Sequence, residues 1–143
     1  DGDFLGGIST AGGITNFTHQ SGDFAGSVFA ADDIINPSFN RVDFLEGSSF
    51  RTDKELRNFN MQRGDFAGTM MAESVHAMTI DGDVLESGSI DIELEARNPR
   101  FRGSFDGTFS AGELTGKFKI DDAVRSVTIH GQSNTVQCPA TTG

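Results

Sequence analysis

The chain has 143 residues, a formal net charge of −10 and a pI near 4.5. This length fits a single domain. The excess of acidic side chains disfavours nucleic acids and anionic membrane surfaces as partners, because Lys and Arg dominate the binding of both. No run of about 18 apolar residues occurs, so the sequence predicts no transmembrane span.

A short motif recurs in the first half of the chain. Gly-Asp-Phe-Ala-Gly-Ser at 22–27 returns as Gly-Asp-Phe-Ala-Gly-Thr at 64–69, and a degenerate copy occupies 2–7. A solenoid would show an equal period, whereas these copies are unequally spaced along the chain. We therefore interpret the copies as recurrent strand chemistry. Residues 32–40 predict a loop and 53–57 predict one helical turn, so this part of the chain is expected to be loop-rich.

The second half alternates apolar and polar residues with a period of two. Over residues 89–97 one face is Ile90, Ile92, Leu94 and Ala96 and the other is charged, which predicts a strand with one solvated side. Residues 98–100 then predict a turn.

Bulky Phe residues alternate with Gly, which has no side chain, in the next predicted strand, from residue 101 to residue 109. Phe and Gly take turns along one face, as in the tapered interior of a small closed barrel. Residues 110–112 predict a hairpin connection, 113–120 its partner strand, and 124–130 a further strand. The residues expected to be buried are Phe101, Phe105, Phe109, Leu114 and Phe118.

The predicted fold is all-β: a small antiparallel β-barrel of about eight strands with a loop-rich N-terminal third. The barrel domain is expected to cover residues 1–135, followed by a flexible C-terminal tail over 136–143. That tail contains Cys138, the only cysteine, which has no partner for an intrachain disulfide.

The segment from Phe101 to Phe118 reads Phe-x-Gly-x-Phe-x-Gly-x-Phe-x-x-Gly-Glu-Leu-x-Gly-x-Phe. It resembles the closing hairpin of the β-barrel domains in transferrin-binding protein B and related bacterial surface lipoproteins. The resemblance covers this segment well and is built from packing positions. It implies a barrel and an extracellular binding module, a class that includes host-protein and haem binders.

The richest local cluster for ligand chemistry is the segment 70–78, Met-Met-Ala-Glu-Ser-Val-His-Ala-Met. His76 and Met78 are expected to share a strand face, and imidazole with thioether suits copper or haem iron. The alternative is that Met fills gaps in the wall while His76 faces solvent. His19 is the second candidate axial ligand of a haem. No pair of His residues has zinc-ligand spacing, so no metal ion site is predicted.

Catalysis has little support, because the sequence has no nucleophile motif and no Cys paired with a recognisable base. The predicted function is a non-enzymatic, extracellular binding module that engages a partner protein or a small ligand, with haem as a candidate cofactor, through loops at one barrel end. The alternative is a structural or assembly subunit of a surface layer or filament. Export to the bacterial cell surface, periplasm or medium is expected from the resemblance, the acidic character and the absence of an initiator Met.

Overall fold

A computed structural model describes residues 2–124, 128–129, 133–137 and 140–141. In those residues all regular structure is β, and none of it forms a helix that could cross a membrane. The strands are β1 (Gly7–Thr10), β2 (Ile14–Thr15), β3 (Thr18–Phe24), β4 (Ser27–Ala30), β5 (Ile34–Ile35), β6 (Ser38–Phe44), β7 (Ser49–Thr52), β8 (Glu55–Gln62), β9 (Thr69–Ala72), β10 (Ser74–Ile80), β11 (Ser89–Phe101), β12 (Thr108–Ile120), β13 (Ala123–Val124), β14 (Thr128–Ile129), β15 (Ser133–Gln137) and β16 (Ala140–Thr141).

The strands coil into a parallel β-solenoid of about six turns. The first wall contains β1, β4, β7, β9, the first parts of β11 and β12, and β14. The second wall contains β2, β5, the first parts of β8 and β10, and the middle parts of β11 and β12. The third wall contains β3, β6, the last parts of β8, β10, β11 and β12, and most of β15. Each strand therefore pairs with its equivalent in the next turn.

The predicted antiparallel β-barrel is wrong, because every pairing among the described strands is parallel. Residues 110–112, expected to form a hairpin, lie inside β12. The N-terminal third is not loop-rich, since β1 to β6 occupy it, and β8 begins at Glu55 where a helical turn was expected. Inward and outward residues alternate in the same way in a barrel and in a solenoid wall, so that pattern does not determine which strands pair.

The corner between the third and first walls contains the recurrent Gly-Asp-Phe motif. Its Phe side chains stack inside the coil, with ring centroids 4.9 Å apart for Phe4 and Phe24 and 4.5 Å apart for Phe24 and Phe44. The shorter spacing between copies is thus one turn of the coil and the longer spacing is two turns, so the interpretation that set a solenoid aside is wrong. We call this row the phenylalanine ladder; its members are Phe4, Phe24, Phe44, Phe66, Val84, Phe105 and Val124.

The core lies inside the coil and is lined by the inward residues of all three walls. The five residues predicted to be buried are at most 2% exposed, so that prediction is confirmed: Phe101, Phe105, Phe109, Leu114 and Phe118. Ring contacts extend between neighbouring turns and walls, for example from Phe109 to Phe118 at 5.0 Å. Apolar burial of this kind is the main favourable term in folding.

The corner between the second and third walls is built on left-handed backbone. Asn16, Asn36, Asn58 and Asn98 have φ between 52° and 59°, and Ala77 has φ 64°. Asn tolerates this region better than most side chains. The amide of Asn36 donates to the side-chain oxygen of Asn16 at 3.2 Å, and that of Asn58 donates to Asn36 at 2.8 Å. We call this row the asparagine ladder, in which Ala77 takes the place between Asn58 and Asn98.

Phe44→Ala is expected to lower the free energy of unfolding by about 3–5 kcal/mol. Phe44 is 1% exposed and lies between the rings of Phe24 and Phe66, so truncation leaves a cavity in the phenylalanine ladder. Urea unfolding followed by circular dichroism measures the change. The matched control is Leu94→Ala, at a side chain that is 53% exposed, where the loss should be within about 0.5 kcal/mol. Equal losses for the two variants would contradict the assignment of the core.

Ala77→Asn is expected to stabilise the protein by about 0.5–1 kcal/mol. Asn relieves the cost of a left-handed Ala and supplies the missing amide between Asn58 and Asn98. The urea midpoint should rise, and it should rise further than in Ala77→Gly, which relieves the backbone but adds no amide and gives a more flexible unfolded chain. A lower midpoint for Ala77→Asn than for the parent chain would show that the ladder does not accept an amide here.

Candidate functional surfaces

A row of carboxylates runs along the outside of the corner that holds the phenylalanine ladder. Each member precedes a ladder position, and backbone amides of the following turn donate to Asp3, Asp43, Asp65 and Asp83. The amide of Asp23 donates to Asp3 at 2.9 Å, that of Asp65 to Asp43 at 2.8 Å and that of Asp83 to Asp65 at 2.9 Å. These hydrogen bonds hold like charges one strand spacing apart, about 4.8 Å. We call this row the aspartate ladder; its members are Asp3, Asp23, Asp43, Asp65 and Asp83.

An apolar row lies beside the aspartate ladder, one position beyond each phenylalanine. Leu5 is 74% exposed, and Leu45 and Leu85 are each 39% exposed. Half-buried alanines stand in the turns between the leucines. Backbone amides of this row donate to the carbonyl of the ladder residue one turn earlier, for example from Leu45 to Phe24 at 3.0 Å. We call this row the leucine strip; its members are Leu5, Ala25, Leu45, Ala67 and Leu85.

The outer face of the second wall carries paired charges. Arg57 lies 2.9 Å from Glu55 and 3.9 Å from Asp33, and Arg97 lies 3.2 Å from Glu95. These pairs are about one-third to one-half exposed, so each adds little stability in salt. Within a strand the carboxylate and the guanidinium occupy neighbouring outward positions, as Glu55 and Arg57 do, so positive and negative charges lie side by side on this face.

Glu95, on the outer face of the second wall, is hydrogen-bonded to the next turn. The hydroxyl of Thr115 in the next turn donates a hydrogen bond to its carboxylate and is the main reason that the pKa of Glu95 is lowered. Arg97 adds to this effect through its charge and its own hydrogen bond. The hydrogen bond joins two turns, and Glu95 also lines an open surface depression of about 450 Å³ together with Leu94 and Glu113.

The structure separates the predicted ligands His76 and Met78. Ala77 has positive φ, so the chain turns between the second and third walls at this point. His76 is half exposed and lies 3.8 Å from Glu55, whereas Met78 is 1% exposed and faces the core. The expectation that the two share a strand face is therefore wrong. Met70 is also buried, as expected of a residue that fills the wall.

His19 lies in the first turn, three turns away from His76. Its ring packs edge-on against Phe4 with centroids 6.3 Å apart, and it takes the register position of the inward Phe39 of the next turn. Burial lowers the pKa of His19. Its Nε2 has no hydrogen-bond partner within the described residues. His76, Met78 and His19 do not converge on one site, and His130 and Cys138 lie outside the described residues.

An open depression of about 270 Å³ lies where the first wall meets the second. Its lining mixes Arg51 with Asp53, Glu73 and Glu93, and Arg51 is 3.0 Å from Asp53. Within residues 2–124 and the three short C-terminal segments, no three His, Cys, Asp or Glu side chains are placed to hold a metal ion. The depression is therefore a charged surface feature.

The aspartate ladder and the leucine strip were not predicted from the sequence. Their signal is the pair that surrounds each phenylalanine, Asp before it and Leu or Ala after it, in the first four turns. The copy at 42–45 lacks the leading Gly and the copy at 82–85 has Val84 in place of Phe. A search for Asp-aromatic-aliphatic triplets would have found four of the five positions.

No family model, curated protein or solved structure matches the chain. The resemblance to transferrin-binding protein B is neither supported nor opposed by these comparisons, although the barrel that it implied is wrong.

Acidification should weaken the hydrogen bond that Thr115 donates to Glu95. The folded-state pKa of Glu95 is below its ordinary value of 4.5, so its stabilising contribution is present above that value and is lost as pH falls through the folded pKa. Thr115→Val removes the hydroxyl and should raise the pKa of Glu95, as followed by NMR titration of its carboxyl carbon. Thr108→Val, at an exposed threonine outside this contact, is the control and should leave that pKa unchanged. An unchanged titration in Thr115→Val would contradict the assigned cause.

Proposed function

We propose that this chain is a non-enzymatic structural and assembly module whose solenoid is extended at its first turn by a further parallel turn from another copy. The observation that carries the proposal is that β1 pairs with β4 on one side and has no other strand partner within the described residues. An edge strand of a parallel wall presents backbone amides and carbonyls that can pair with one more strand, so it is a template for a further turn.

The backbone groups of β1 alternate between two directions. The carbonyls of Gly6 and Thr10 accept hydrogen bonds from Ser27 and Ala31 of the second turn. Since successive residues of a strand point their amides and carbonyls to opposite sides, those of Gly7 and Ser9 are directed away from the second turn. They are the groups with which a further turn would pair.

Apolar side chains of the first turn are incompletely covered. Ile8 is 37% exposed, whereas Val28, its partner in the next turn, is fully buried. Phe4, Ile14 and Phe17 are only partly buried against the core. A turn stacked on this end would remove their remaining surface from water, at about 25 cal/mol for each Å² of apolar area.

Parallel pairing gives the edge a direction. Strands of successive turns run the same way, as β1 and β4 do, and the strands of two first turns placed face to face would run in opposite directions. A further turn therefore continues the parallel pairing only if it stacks head to tail, which leads to open filaments.

A binding role is the second candidate function, and the leucine strip favours it, because exposed apolar rows on a folded surface mark interaction sites. A haem site is not part of either proposal, since His76, Met78 and His19 do not meet. Export to the bacterial surface, periplasm or medium remains a prediction, and fractionation of the producing cells measures it.

Ile8→Lys is expected to abolish self-association, because it places a positive charge on the stacking end. Sedimentation velocity over a hundredfold concentration range should show concentration-dependent polymers for the parent chain and monomers for the variant. Leu94→Lys introduces the same charge at a side chain that is 53% exposed and away from the edge, and it should polymerise like the parent. A parent chain that stays monomeric at every concentration would overturn the proposed assembly.

A further inference from the structure

We propose that the leucine strip is a docking surface for an amphipathic, basic α-helix of a partner protein, lying parallel to the solenoid axis. The surface is distinct from the open edge of the first turn, so it does not depend on the assembly proposed above. The spacing of the strip and the charges beside it support this proposal.

The strip is a row of ridges and notches. Leu5, Leu45 and Leu85 project from every second turn, and the short side chains of Ala25 and Ala67 leave a gap between them. At about 4.8 Å per turn, successive notches are about 10 Å apart. Residues seven apart on an α-helix are about 10.5 Å apart and lie on one face. Two large apolar residues at that spacing would fill the two notches.

Carboxylates border the strip along its length. The aspartate ladder lies on one side, with one carboxylate in each of the first five turns. Exposed Glu46 and Glu86 follow Leu45 and Leu85 on the other side, and Asp106 takes the position of the strip itself in the sixth turn, where it adds a carboxylate at the end of the strip. Lysines or arginines next to the apolar stripe of a helix would meet negative charge on both sides.

The charges decide among the candidate occupants. A second copy that used the same strip would place its acidic borders against these, and the like charges would repel each other. An acidic helix would be repelled in the same way, and a neutral helix would gain no attraction from the carboxylates. The net charge of −10 adds long-range attraction for a basic partner.

The test uses a synthetic helical peptide of three heptads, with leucine every seventh residue and lysine on both sides of that stripe, followed by fluorescence anisotropy against the full chain. Binding should be detectable at low salt and weaken as salt rises. A peptide of the same composition in scrambled order, and a proline-rich extended peptide of equal charge, should bind at least about tenfold more weakly. Equal binding by either one would overturn the proposal.

Two reciprocal variants test the ridges and notches without foreign residues in the row. Leu45→Ala removes the central ridge, and Ala67→Leu fills a notch. Each puts in place a residue that other turns carry at this position, so the fold should be kept. Each should weaken peptide binding about tenfold, whereas Leu94→Ala, off the strip, should not change it. Unchanged binding in both variants would overturn the proposal.

Self-association distinguishes a helix from a second copy. If Leu45→Ala changed the sedimentation of the chain alone, the strip would be a contact between copies and the helix proposal would fail. The expected result is that Leu45→Ala leaves sedimentation unchanged and that Ile8→Lys leaves peptide binding unchanged. Circular dichroism and the urea midpoint of each variant confirm that the solenoid is intact.

Discussion

The whole structure depends on one constraint: each residue lies over its equivalent in the next turn, one strand spacing away. The same backbone hydrogen bonds therefore bring Phe over Phe inside the coil and Asp over Asp outside it. Stacking like residues is favourable for aromatic rings and amides and unfavourable for carboxylates. Backbone amides of the neighbouring turn donate to the carboxylates of Asp3, Asp43 and Asp65, and these hydrogen bonds offset the repulsion. Close approach of turns also explains Gly64, where a Cβ would collide with the carbonyl of Val42.

The sequence predicts burial well and pairing poorly, for a physical reason. Alternation reports which side of a wall a residue faces, so Phe101, Phe109 and Leu114 were placed correctly in the core. The placement of Leu94 on the apolar face with Ile92 is wrong, because the register shifts between Ile92 and Glu95 and Leu94 is 53% exposed. Alternation does not report whether the neighbouring strand comes from a hairpin or from the next turn of a coil. Equal spacing would have revealed the period, but the steps of the phenylalanine ladder differ in length along the chain. Extra residues leave the coil at corners such as 45–48 without altering the register of the walls.

The predicted ligand pair was wrong, and the leucine strip was missed, because alternation along one strand does not show where the chain turns or how the turns align. His76 and Met78 are two positions apart, which on a strand means one face, yet the left-handed Ala77 between them turns the chain from one wall to the next. An alanine carries no sequence signal for that conformation, whereas the asparagines at the equivalent positions do. The leucine strip, by contrast, exists only once the turns are aligned, because its members are separated along the chain by whole turns of the coil.

In the solenoid each turn contacts only the turns next to it along the axis. A turn in the middle, such as the one that contains Phe44 and Phe59, has neighbours on both sides, whereas within the described residues the first turn has a neighbour on one side only. Stability in such an array is approximately a sum of nearest-neighbour terms, so opening begins at an end and moves inward. Backbone amides should therefore differ in their protection from hydrogen exchange along the axis, with the slowest exchange at the amides of the central turns.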